Sequence, residues 1–478
     1  MPITQLPFTN GFYESDSLPL SAQECLNWYV NVPQAPALVT ESLFRTPGVK
    51  QLTTSGAIAN ANRGAWVMSG KPYFVNGGTL YRLETDDTLT SITGTITGSG
   101  RVSMADNGTQ LMILVPGGAG YIFTESPDTL TTITDLDFTA NGAPQYCVFI
   151  DGYFVSTTDS KKFIVSALNN GLCYIATDFG SAEANPDDTV APIVFKNQLF
   201  IAGTETTEAF QNVGGSGFPF QRSGLYLSKG IAAPLSVVES NDTFVWIGSG
   251  KNEAPAIWSF VGNSVQKIST TAIDNLLQDL TETELTEVAG WSYAEKGAYF
   301  VGFALPSTTL VLDVITGKWH ERKSLVQNSP GSNELIRYRV QSVVKAYNKI
   351  LVGDTFDGRI GHMSLDYFDE YGQDIIRRVS TQPFQNNMQD FSIPTLEMTA
   401  ETGRTDGTVE EPLISLEIST NGGYTFGPQK YRSLGKIGEY KRRAIWRRNG
   451  RIDRMAVLRF TVSDSIKTSL LQLTGEFA

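Results

Sequence analysis

The chain has 478 residues, 41% of them hydrophobic and 18% charged. That composition is globular, excludes wholesale disorder, and is large enough for more than one ordinary domain. The net charge of −12 argues against tight duplex binding, which needs a basic footprint, although an acidic wall can face DNA without holding it.

The start, "MPITQLPFTNGFYE", has neither a basic stretch nor an apolar run, so no signal peptide is expected. No run of about 18 apolar residues occurs, so no membrane insertion by this chain is expected. Residues 1–45 are rich in Pro, Asn and aromatics and read as an extended N-terminal arm with one short strand in "CLNWYVNV". The three cysteines, Cys25, Cys147 and Cys173, give no disulfide framework and no zinc spacing. They read as buried free thiols of a reducing compartment.

Residues 46–370 read as a repeat of short strands between Gly, Asn and Asp turns. "GAWVMSGKPYFVNGGTLYRL", "YCVFIDGYFVSTTDSKKFIVS" and "QSVVKAYNKILVGDTFDGRIGHM" share one plan of strand, polar turn, apolar strand, loop and strand. The first turns centre near Gly70, Asn107, Asp151, Asn197, Asn241, Lys296 and Asn348. Their spacing, roughly 35 to 55 residues, is that of propeller blades. The expected fold is therefore all-β, with a β-propeller of about seven blades. A pair of β-sandwiches would not need a repeat of constant length. The clearest helix lies in "STTAIDNLLQDL", where Ile273, Leu276, Leu277 and Leu280 follow a helical stripe behind a Ser/Thr cap candidate.

Residues 371–478 read as a C-terminal antiparallel β domain, in which Leu413, Ser415 and Glu417 alternate with Ile414, Leu416 and Ile418. It contains "STNGGYTF", Ser419 to Phe426, the outline of an Asp box. Sialidase propellers carry several such boxes, one per blade. Here a single copy lies outside the repeat, so it reads as a stapled hairpin in which Ser419 and Asn421 bond the turn, Gly423 takes a positive φ and Phe426 packs beneath.

No catalytic, cofactor-binding or metal-binding set can be assembled. His320 and His362 are the only histidines and read as structural or surface residues. "GSGKN" lacks both the leading Gly and the Ser or Thr of a phosphate loop. Asp354, Asp357 and Gly358 lack the register of a calcium loop, and Asp187 and Asp188 read as a solvated pair. A glycosidase would need a placed carboxylate pair.

One charge feature stands out: "EYKRRAIWRRNGRIDR", with Lys441, Arg442, Arg443, Arg447, Arg448, Arg451 and Arg454 around Trp446. It reads either as the wet face of a sheet or as a contact surface for an acidic partner, a neighbouring subunit or nucleic acid. As an interface it would rest on Lys441, Arg442, Arg443, Trp446, Arg447 and Arg448, with protein favoured over DNA because arginine with an aromatic is interface composition.

Several strings taken in order resemble the podovirus tail hub proteins of P22-like phages, also called packaged DNA stabilization proteins. They are "LNWYVNV", "LFRTPGV", "GSGRVSMADNG", "ATDFGSAEANPDDTV", "LFIAGTETTEAFQNVGGSGFPFQR", "KISTTAI", "GKWHER" and "STNGGYTFGPQKYRSLGKIGEYKRRAIWRRNGRIDR". The resemblance spans almost the whole chain and carries no residue-level site. It implies a structural virion protein and not an enzyme. It implies a homo-hexameric tail hub or tube below the portal and its adaptor protein, assembled in the bacterial host cytoplasm. Such a ring seals packaged DNA, docks a tail needle or plug and tailspikes or receptor-binding proteins, and passes DNA through its lumen without sequence-specific binding. The other reading kept open is a glycan-binding or glycan-cleaving propeller.

Overall fold

The computed structural model describes residues 3–56, 60–182, 187–215, 217–329, 332–387, 389–405 and 408–478. Seven four-stranded antiparallel sheets follow one another as blades, spanning 62–91, 103–132, 144–181, 189–227, 238–267, 289–329 and 340–364. The seventh has only three strands of its own. Its fourth is Gly48–Thr54, which pairs antiparallel with Arg359–Ser364 and joins the two ends of the repeat. The β-propeller therefore has seven blades, closed by an N-terminal strand.

The turns that organise the repeat are local and specific. In Ser69-Gly70, Asp151-Gly152, Lys196-Asn197, Lys296-Gly297 and Tyr347-Asn348 both residues have positive φ. That is the signature of a two-residue type I′ hairpin, whose twist matches the flanking strands.

Each blade buries its faces only against its neighbours. Met68, Tyr73, Val75, Met104, Leu111 and Phe123 fill the seam between blades one and two. Phe163, Val165, Leu199 and Phe210 fill that between three and four, and Phe74, Leu83, Leu351 and Ile360 fill that between seven and one. Ion pairs bridge the same seams at the surface, Arg82 with Asp128 at 2.8 Å and Lys349 with Asp87 at 2.6 Å. The seam between blades five and six also receives the helix Thr271–Gln278, with Ile273 and Leu277 fully buried. A second helix, Glu282–Glu287, begins on a capping box between Thr281 and Glu284.

Beyond the propeller lies a β-sandwich. One of its sheets contains Ala444–Arg447, Thr395–Ala400, Ser469–Glu476, Ser42–Arg45 and Trp28–Asn31, with Ile3–Leu6 on Ser469–Glu476. The other continues directly out of blade six. Its outermost strand, Lys318–Ser329, runs on through Cys25–Leu26, Arg377–Ser380, Met455–Val462, Leu413–Ser419 and Lys430–Ser433. The strands of residues 3–45 thus pair with the C-terminal strands, and Trp28, Val30 and Leu43 share a core with Leu396, Leu416, Trp446, Phe460 and Leu473.

Asn27 marks the point where the chain passes from one sheet to the other. It is buried at φ +55°. Its amide nitrogen donates to the carbonyls of Lys323 at 2.9 Å and Ile376 at 2.8 Å, and its amide oxygen accepts from Lys323 N at 3.2 Å. One side chain therefore ties blade six, the arm and the sandwich.

A buried charged cluster lies beside the closing strand. Arg339 approaches Asp354 at 3.3 Å and Glu370 at 4.0 Å, while Tyr371 stacks under Arg339 and Arg359. Burial raises the Asp354 carboxyl to about 6 although Arg339 pulls the other way, and it raises Glu370 to about 7.

Asn27→Ala is expected to lower the unfolding free energy by about 3 kcal/mol, from three lost buried hydrogen bonds and a strained left-handed alanine. Asn27→Gly, which accepts that φ, should cost about 1 kcal/mol less. Urea unfolding checks both, and an unchanged midpoint in each would mean the amide holds nothing. The raised carboxyls predict a pH effect of definite sign. At these two sites the folded chain binds more protons than the unfolded one between about pH 4 and 7, so their contribution to stability falls as pH rises through that window. Urea unfolding at pH 5 and 7.5 should show stability changing less favourably with rising pH in the wild type than in Glu370→Gln, and equal changes in the two would mean that Glu370 does not titrate differently on folding.

Candidate functional site

The basic cluster expected from sequence folds onto the sandwich sheet that carries Ser469–Glu476. The strand Ala444–Arg447 alternates, with Ala444 and Trp446 inward and Ile445 and Arg447 outward beside Thr395, Glu397, Thr474 and Ile3. Trp446 is fully buried. Its indole nitrogen donates to the Lys430 carbonyl at 2.6 Å and its ring packs on Phe460. This tryptophan holds the strand to the core and offers no surface to a partner.

The charged members divide. Arg443 is exposed and bidentate on Glu397, Arg451 pairs with Asp390, and Arg442 approaches Glu411 at 3.8 Å. These pairs cancel charge locally, and as exposed pairs they contribute little to stability. Lys441, Arg447, Arg448 and Arg454 are exposed and have no ion-pair partner among the described residues. Arg448 has φ +58° and donates its backbone N–H to Pro394 O, which turns the chain sharply out of the strand. Ile437 and Tyr440, 68% and 65% exposed, border the cluster in the loop before Lys441. Sequence reading passed over both, although "GKIGEYKRR" already places them beside the cations.

The Asp-box outline closes a hairpin. Ser419 Oγ donates to Asn421 Oδ1 at 2.8 Å and accepts from Gly423 N at 2.9 Å, and Asn421 Oδ1 accepts from Thr425 N at 3.0 Å. Gly423 has φ +102° and a Cβ there would strike Ala22 of the arm. Arg459, bidentate on Glu417, lies 3.6 Å above the Phe426 ring. The side chains of Ser419, Asn421 and Thr425 are all used to hold the turn.

The remaining candidates are structural too. His320 is buried against Tyr29 and Phe300, and burial together with the Arg322 charge holds it well below its usual pKa and hence neutral. His362 contacts the Tyr367 hydroxyl at 3.1 Å. Asp187 is engaged rather than solvated: its carboxylate accepts from the backbone N–H groups of Glu205 and Thr206, both at 2.9 Å. Asp357 is held by Arg359 at 2.6 Å. Cys25 and Cys147 are buried as expected, whereas Cys173 is exposed, and all three are free. Among the described residues no cluster of His, Cys, Asp and Glu has metal-binding geometry, and no helix is long and apolar enough to cross a membrane.

Comparison with known proteins gives matches over nearly the whole length. Residues 4–367 match the family described as Bacteriophage P22 Gp10, beta-propeller, and residues 376–476 match Bacteriophage P22 Gp10, beta-sandwich. The tail hub protein gp10 of Salmonella phage P22 is 22% identical over 496 aligned residues, covering 99% of each chain. Among solved structures, the WD40 β-propeller domain of Doa1 is similar at TM-score 0.41 and 14% identity, over 66% of this chain and 97% of that one. The N-terminal domain of Nup159 is similar at TM-score 0.41 and 13% identity, over 70% and 98%. With a seven-bladed propeller and a sandwich in the order and extent of the two matched families, this chain belongs to the P22-like podovirus tail hub family.

Proposed function

We propose that this chain is the tail hub of a virion, a structural component with no chemistry of its own. The observation that carries the reading is the end-to-end match to a phage tail hub protein, 99% of both chains and both domains. In this reading six copies close a ring below the portal and its adaptor protein after packaging. The ring seals the DNA, docks a needle or plug and tailspikes, and conducts DNA at ejection. Assembly takes place in the host cytoplasm, and the mature protein resides in the tail.

The physical features support a mechanical role. A propeller sharing a continuous sheet with a sandwich is a stiff block, and its faces serve as interfaces. Copies of such a block in a closed ring meet through heterologous contacts, one surface against a different one. The exposed cations Lys441, Arg442, Arg447 and Arg448, with Ile437 and Tyr440, are the surface we assign to a neighbouring subunit or tail protein. The net charge of −12 suits a lumen through which DNA slides without sticking.

DNA-filled heads lacking the hub provide the test. Adding the purified chain should give stable binding at the portal vertex and retained genome, and heads that leak as before with no chain bound would overturn the reading. Arg447→Glu with Arg448→Glu, both on the surface, should leave the circular dichroism spectrum unchanged and cut complementation about tenfold or more.

A further inference from the structure

The first strands of the blades enclose the propeller axis, and one end of this channel holds a cavity of about 630 Å³. Three arginines reach it from separate elements. Arg63 comes from blade one, Arg101 from the connection into blade two, and Arg337 from the approach to blade seven. Glu284 and Glu287 of the second helix are the acidic residues there. Glu284 is occupied by its own cap, accepting from Thr281 N at 2.9 Å and Thr281 Oγ1 at 2.8 Å. Glu287 is exposed and forms no ion pair with a described residue, although its charge partly offsets those of Arg101 and Arg337.

The three guanidiniums are used differently. Arg63 donates to the carbonyls of Gly100 at 2.6 Å, Thr97 at 2.9 Å and Gly77 at 3.0 Å, as an arginine that holds loops does. Arg101 makes no hydrogen bond or ion pair with any described residue, and its Nε and Nη1 are enclosed without a partner. Arg337 gives one nitrogen to Gln341 while its Nε is likewise enclosed and unpaired. Burial first, and then the Arg337 charge, pull Arg101 down to about 10, although Glu287 pulls the other way. A guanidinium cannot shed its proton to escape such a site at neutral pH. Enclosed N–H groups without partners are costly, and a purely structural arginine would use the carbonyls that Arg63 uses.

We propose that this mouth of the axial channel binds an anion, a carboxylate or phosphate group, with Arg101 and Arg337 as its clamp. Both ligand chemistries fit planar, multi-donor guanidiniums. The volume is that of a ligand pocket and exceeds what a lone phosphate fills, so an acidic side chain or chain end of a partner segment also fits. Arg101 also lines an adjoining cavity, beside Trp66, Val102, Gly290 and Trp291, which places the charge where the two cavities meet.

The test uses the full-length chain, titrated at constant ionic strength with inorganic phosphate and with a short polyglutamate peptide. A polyglutamine peptide of equal length with an amidated end is the control. At least one anionic probe should bind and raise the thermal midpoint, and the control should not. Stronger binding of polyglutamate assigns the site to a partner segment, and binding of phosphate alone assigns it to a free ion. Arg101→Met should weaken binding at least tenfold while its midpoint in chloride buffer equals or exceeds that of the wild type, because a cation with enclosed, unpaired N–H groups is removed. Arg337→Gln supplies the same comparison should Arg101→Met not fold. Failure of both anions to bind, or unchanged affinity in the variants, would overturn the proposal. So would an Arg101→Met chain that loses thermal stability with no anion effect in the wild type.

Discussion

Everything in this molecule depends on closing a ring whose two ends are far apart in sequence. A single blade cannot bury its own faces, and each seam core exists only when both neighbours are present. The seventh seam forms when Gly48–Thr54 pairs with Arg359–Ser364, a contact across some three hundred residues of chain. Gly48 begins that strand where a Cβ would strike the carbonyl oxygens of Asp369 and Tyr367. The ring therefore closes on a strand that only a close backbone approach admits. Loop closure over such lengths costs entropy slowly with length, so the seam cores, rather than the connection, decide whether it holds.

The closing strand cannot be delivered without the segment that precedes it. Residues 3–45 reach it by running through the sandwich, pairing with the last strand of the chain at Ile3 and Glu476 and crossing sheets at Asn27. Propeller and sandwich are in this sense one construction. The sheet that leaves blade six through Glu321 and Leu26 has no break before Lys430–Ser433. A load applied to one domain reaches the other through hydrogen-bonded strands and a shared core, not through a linker.

The legible parts of this fold were those encoded locally. The blade turns were readable because a type I′ hairpin requires residues that tolerate positive φ at two adjacent positions, as Asp151-Gly152 and Lys296-Gly297 do. The helix Thr271–Gln278 was readable from its apolar stripe, and the hairpin at Ser419 from side chains that bond within four residues. What stayed hidden was non-local. Nothing near Trp28 or Ile3 announces a partner more than four hundred residues away. Alternation in a strand as short as Ala444–Arg447 does not say which face is wet, so Trp446 stood in sequence among the cations although its ring belongs to the core. The short helix Glu282–Glu287 was missed despite its signal, the Thr281 and Glu284 capping pair. The channel arginines were invisible as a group because Arg63, Arg101 and Arg337 meet only when the ring closes.

Charge in this chain is sorted by depth rather than by sign alone. Some exposed arginines of the sandwich find carboxylates, Arg443 with Glu397 and Arg451 with Asp390, and what is left over at Lys441, Arg447, Arg448 and Arg454 is a solvated, screened surface. The propeller axis is the opposite case. There Arg63 is satisfied by carbonyls that carry no charge to match its own, and Arg101 and Arg337 add two more half-buried cations whose Nε atoms are enclosed. The same charge interacts more strongly there than at the surface because the surrounding dielectric is lower. Screening by salt therefore falls mainly on the exposed cations of the sandwich and less on the enclosed guanidinium nitrogens of the axis.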